Sequence, residues 1–193
     1  MKPSFRQCLT VFLALLVSPV SMAGIMDEGT PFDRRESKFL PGTGSGEATV
    51  ESFVFTANPE SPYSGNFIYA YYISNVQVNL SFFSVEILPG ENILQYGWDS
   101  GDKEPFAWEP VNDPVGSIEA FFKNPILPGE ASAVLWFISP HGPTEADGAL
   151  AGITGGSYNF LVGKVLTPQV PEPATWLMLM AGGLFGRLSR KRK

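Results

Sequence analysis

The chain predicts an all-β protein: a single antiparallel β-sandwich of about seven to nine short strands. Three observations carry that expectation. From Thr49 onward apolar and polar residues alternate with a period of two, clusters of Pro, Gly, Asn and Asp interrupt the alternation at short intervals, and no stretch of this region sustains a helical period. Some strands are apolar on both faces, as strands between two packed layers are.

Residues 24–46 are rich in Gly, Ser, Pro and charge and read as a flexible lead-in, with Phe32, Phe39 and Leu40 available to pack on the domain. The β domain is expected over residues 47–167. In its first strand Val50, Ser52, Val54 and Thr56 alternate with Glu51, Phe53 and Phe55. Residues 67–75, FIYAYYISN, are dense in aromatic and β-branched side chains and read as the second. Val76, Val78, Leu80 and Phe82 then share one face, but Phe83, Val85 and Ile87 continue on the other phase. A slip of one residue inside a strand predicts a β-bulge at Phe82–Phe83. Further strands are expected at residues 92–98, 117–123, 131–139 and 158–166, with shorter ones near 107–109 and 149–153. Turn chemistry separates them at Pro89-Gly90, Asn112-Asp113-Pro114, Pro128-Gly129, Pro140-His141-Gly142-Pro143 and Gly155-Gly156. The phrase Ile-Leu-Pro-Gly-Glu occurs at residues 87–91 and again at 126–130, which shared turn chemistry explains as well as duplication does.

The two ends have a different character. Lys2 and Arg6 precede an apolar run at residues 8–17, Ser18 and Pro19 break it, and Ser21 and Ala23 are the small residues before Gly24. This is the pattern of a secretory signal peptide over residues 1–23, cleaved between Ala23 and Gly24. At the other end stand Pro171, Glu172 and Pro173, then an uncharged run at 174–186, then Arg187, Arg190, Lys191, Arg192 and Lys193. The prolines keep the triplet extended, and the five cations hold the terminus in the cytoplasm. The 13-residue run covers about 20 Å as a helix, short of a hydrocarbon core of about 30 Å, so it is a marginal transmembrane helix.

Triplet, apolar run and basic end, in that order and behind a signal peptide, resemble the PEP-CTERM sorting signal of Gram-negative bacteria, here over residues 168–193. The resemblance implies export through the secretory translocon and a transient stay in the inner membrane. It also implies recognition by exosortase, an integral-membrane processing enzyme, with cleavage near Pro171, Glu172 and Pro173. A final place in the cell envelope or extracellular matrix, and an association with exopolysaccharide and biofilm, are implied with it. A permanently anchored single-pass membrane protein is the alternative.

Charge agrees with this topology. All 19 acidic residues lie between Asp27 and Glu172 with six basic ones, a net −13, whereas the last seven residues carry +5. So acidic an exported part excludes nucleic acid as a partner. The single cysteine, Cys8, falls inside the signal peptide, which leaves no disulfide, thiolate nucleophile or cysteine metal site after cleavage.

Candidate chemistry is sparse. His141 is the only histidine and stands in a Pro-flanked turn, where a solvated ring is expected; any Ser-His-Asp triad would depend on it. The acidic loop at residues 99–104, with Asp113 or Asp147, could supply oxygen ligands for calcium but does not match the 12-residue EF-hand loop, so a solvated hairpin loop is expected, and Glu86, Glu109 and Glu119 are expected on a solvent face. No catalytic residue, metal or cofactor is assigned. Trp98 and Trp108 lie near loops and are the candidates for stacking on a glycan, as in a carbohydrate-binding module, while Trp136 reads as core. The expectation is a non-enzymatic protein.

Overall fold

The computed structural model describes residues 29–87, 91–99, 101–111 and 116–169. The expected signal peptide and transmembrane helix lie outside these residues. Ten strands follow in chain order: β1 (Gly29–Thr43), β2 (Ala48–Ala57), β3 (Phe67–Ser74), β4 (Leu80–Glu86), β5 (Gln95–Asp99), β6 (Ala107–Val111), β7 (Ser117–Ile126), β8 (Val134–Ser139), β9 (Pro143–Thr154) and β10 (Ser157–Pro168). Every pairing is antiparallel. They form one sheet in the order β5-β8-β3-β2-β1-β10-β9-β4-β7-β6, curled until its two edge strands approach each other.

This corrects the sandwich: the fold is a nearly closed, barrel-like sheet, and the strand that makes it continuous is β1. Residues 29–39 of β1 pair with β2, and residues 40–43 pair with β10. Residues 29–43 of the segment read as a flexible lead-in are therefore the hinge of the sheet. Its composition hid it, because Phe39 is its one fully buried side chain and most of the others are exposed. Backbone pairing, not apolar alternation, specifies this strand.

Where β1 leaves β10, backbone groups of β10 lose a strand partner and must find another. At Leu166 both are supplied by side chains: the N–H donates to Ser52 Oγ at 3.2 Å, and the carbonyl accepts from Tyr71 Oη at 2.7 Å. Arg35 crosses the same gap, its guanidinium donating to Glu145 on β9 and, through Nε, to Ser37 Oγ at 3.0 Å.

The phase slip in β4 is present. Val76, Val78 and Leu80 are buried, and burial resumes at Phe83, Val85 and Ile87. The ladder with β7 shifts register between Leu80 and Phe82, which face Ile126 and Phe121. The extra residues are on β7 rather than β4, in the stretch that contains Pro125.

The barrel interior is filled from all sides by Phe39, Tyr69, Tyr71, Phe83, Trp108, Phe137 and aliphatic neighbours. Phe39 lies over two glycines that face each other across β9 and β10. A Cβ at Gly163 would come within 2.5 Å of the Phe39 ring, and one at Gly148 within 2.8 Å. A second apolar cluster on the outer face of β2, β3 and β8 holds Phe53, Phe55, Ile68 and Tyr72, with Trp136 partly buried against it. The edge strands β5 and β6 are five residues each, and β6 contains Pro110.

The second Ile-Leu-Pro-Gly-Glu phrase closes its own turn. Glu130 accepts from the Leu127 N–H at 2.8 Å and pairs with Lys103 at 3.0 Å, and its carboxyl is held below its ordinary pKa of 4.5 by the backbone bond first and Lys103 second. A carboxyl depressed in the fold adds stability above its unfolded pKa and loses it as pH falls through the folded one. Urea midpoints of the parent and Glu130→Gln should accordingly differ at about pH 7 and converge below about pH 3. Gly163→Ala should cost about 1–3 kcal/mol by the same measurement, because the Phe39 ring must move off its floor.

Candidate functional site

The most constrained polar arrangement lies where the chain leaves the barrel after β10. Strands β9 and β10 stay paired to this end, the first residue of β9, Pro143, opposite the last of β10, Pro168. Thr167 Oγ1 donates to the Glu86 carbonyl at 2.9 Å, and the Gln169 N–H donates to the Gly142 carbonyl at 2.6 Å. The end of the described chain is thus tied to the turn Pro140-His141-Gly142-Pro143.

That turn is itself held from inside the barrel. Tyr69 Oη donates to the His141 carbonyl at 2.8 Å, and the His141 N–H donates to Ser139 Oγ at 3.0 Å. The His141 ring places Nδ1 3.1 Å from each carboxylate oxygen of Glu91, whose side chain is 0% exposed. The Ser139 hydroxyl donates to the same carboxylate. Burial first, and the Glu91 charge second, push the Tyr69 phenol far above its ordinary pKa, and burial does the same for Tyr71. Both phenols are therefore neutral donors. His141, expected as a solvated turn residue, is instead half-buried and paired.

This cluster is a clamp on the turn. The Ser139 proton is directed at Glu91 and not at the imidazole, so the three groups do not make the hydroxyl–imidazole–carboxylate chain of a hydrolase triad. Sequence reasoning missed Glu91. The signal that could have found it is the repeated Ile-Leu-Pro-Gly-Glu: one glutamate closes its own turn, while its counterpart reaches across to a histidine.

The two stacking candidates separate. Trp98 is 39% exposed on β5, with Tyr96 46% exposed on the same face. Trp108 is core, a correction to its reading as a glycan platform. It is 1% exposed, stacks on Phe83 at 6.2 Å, and donates through Nε1 to the Trp136 carbonyl at 2.9 Å. The loop position suggested by its neighbours is the seam between β6 and β8, where an indole can fill the interior and still bond its N–H. Glu109 and Glu119 face each other across β6 and β7 on the outward side, and Lys103 of the acidic loop is taken by Glu130.

Ala23, Gly24, Pro171, Glu172, Pro173, Arg187, Arg190, Lys191, Arg192 and Lys193 lie outside the described residues. The family comparison covers the C-terminal group: residues 169–193 match the family model of the PEP-CTERM protein-sorting motif. No curated protein and no solved structure matches the chain. The motif implies an exported protein, sorted through the membrane and processed by exosortase. It begins at Gln169, one residue after β10 ends.

Trp108→Ala should lower stability by about 3–5 kcal/mol in urea titrations, whereas Trp98→Ala should change it by less than about 1 kcal/mol.

Proposed function

We propose that this protein is non-enzymatic cargo of the cell envelope or extracellular matrix. It leaves the cytoplasm through the secretory translocon on a signal peptide cut between Ala23 and Gly24. Its C-terminal segment holds it in the inner membrane while exosortase acts near Pro171, Glu172 and Pro173. The barrel is then delivered outward, in association with exopolysaccharide.

One observation carries this reading: the sorting motif occupies the C-terminus, directly beyond the last strand. Two others support it. Among the described residues the most buried ionisable cluster, Glu91 with His141, Ser139 and Tyr69, braces the turn that holds the chain's exit. The net −13 of the exported part also favours solubility in a hydrated matrix over contact with nucleic acid or anionic lipid.

A second reading, a carbohydrate-binding role, is favoured by the exposure of Tyr96 and Trp98 side by side on an edge strand. Flat rings of this kind stack on sugar faces. Loss of glycan pull-down in Trp98→Ala, with folding intact, would support it.

The main reading is tested by intact-mass measurement of protein recovered from outside the host cell. The expected species begins at Gly24 and lacks residues 187–193, and Glu172→Ala leaves the unprocessed precursor in the membrane fraction. Extracellular material that retains the basic end would overturn it.

A further inference from the structure

Both described termini leave the barrel at the same end. The Phe32 ring of β1 packs edge-on against Phe67 with centroids 5.4 Å apart. A Cβ at Gly142 would lie 3.6 Å from that Phe67 ring, and the Gly142 carbonyl holds the Gln169 N–H. Gly29, where β1 begins, is three residues before Phe32.

Phe32 is placed there by a bulge. Pro31 faces Phe55 and Asp33 faces Val54, so Phe32 is the unpaired extra residue of β1. Bulges at a barrel rim re-aim a side chain. Here the bulge leaves a phenylalanine 57% exposed beside the chain's exit.

Chain length then limits what can stand next to it. Glu172 is three residues beyond Gln169, at most about 11 Å of extended backbone, and the apolar run that starts at Ala174 is at most about 18 Å away. No slack lies upstream, since β10 is paired through Pro168 and Gln169 is hydrogen-bonded. An enzyme embedded in the bilayer that grips residues 171–173 must meet this end of the barrel.

We propose that the barrel end formed by Phe32, Phe67, His141, Pro143 and Gln169 is a docking surface for the membrane-embedded enzyme that processes the motif, with Phe32 as its apolar contact. This inference rests on the reading of Pro171, Glu172 and Pro173 as the processed segment. The Glu91–His141 clamp braces the turn to which Gln169 is bonded, so the described chain leaves the barrel from a fixed point.

The test uses the full chain co-expressed with exosortase in host membranes. Benzoylphenylalanine at position 32 should photo-crosslink to the enzyme. The same probe at Ile153, which is 62% exposed and ten residues along β9 from Pro143, about 33 Å away, should not. Phe32→Glu should slow conversion of precursor to processed form by about fivefold or more. A flexible Gly-Ser insertion of about twelve residues between Gln169 and Val170 should make conversion indifferent to Phe32→Glu. The inference is overturned if Phe32→Glu without the insertion is converted at the parent rate, or if position 153 crosslinks as well as position 32. If the parent chain is never converted, or Glu172→Ala is converted normally, the reading of the motif fails and the inference falls with it. Crosslinking of position 32 to lipid alone would assign this end to the bilayer surface and sink the enzyme contact.

Discussion

The packing of Trp108 against Phe83, Tyr71 and Phe137 joins strands that no hydrogen-bond ladder joins. β6 pairs only with β7, and β5 only with β8, so no ladder closes the seam between these two edges. Trp108 spans it with an 11° stack on Phe83, an edge contact to Tyr71, and an indole bond to the β8 backbone. Tyr69 and Tyr71 extend the same cluster through Phe137, and each phenol ends on a main-chain carbonyl at the far side. The polar tips of Trp108, Tyr69 and Tyr71 each find a main-chain acceptor, so these three rings fill the interior without an unpaired group of their own. The curled sheet, the pinned turn and the course of β10 all depend on them.

How much of this was legible in the chain varies by element, for physical reasons. The alternation in residues 49–56 falls on β2, which is buried on both faces, and the change of phase in β4 is present, but the register shift lies between Leu80 and Phe82 rather than at Phe82–Phe83, with the extra residues on β7. β1 and the first half of β9 were hidden. Their polar sequences, Asp33-Arg34-Arg35-Glu36 and Thr144-Glu145-Ala146-Asp147, are held by backbone pairing and by ion pairs such as Arg35–Glu145 and Lys164–Asp147, neither of which leaves a period of two. The sandwich reading failed with β1, since one unseen strand turns two layers into one continuous sheet. Trp108 was misplaced because hydropathy cannot tell the two faces of a strand apart when both are covered, whereas Trp136 packs against the second apolar cluster.

At the candidate site the motif itself was legible and its mounting was not. Pro171, Glu172 and Pro173 stand out as a string of letters, whereas Tyr69 and Glu91 are far in the chain from the Ser139–Gly142 turn and meet it only through topology. The two Ile-Leu-Pro-Gly-Glu phrases make the point. Glu130 binds its own Leu127 N–H, and Glu91 binds a histidine 50 positions away. Identical local chemistry served two purposes because the neighbours delivered by β8 differ.

The shortness of β5 and β6 has a consequence for contact between copies of the chain. Exposed strand margins template cross-β growth, and crowding raises that hazard. Five residues a side, with Pro110 lacking a donor on one margin and a bulky Tyr96 and Trp98 standing on the other, offer little for a neighbour to copy. Margins this blunt disfavour edge-to-edge growth between copies of the chain.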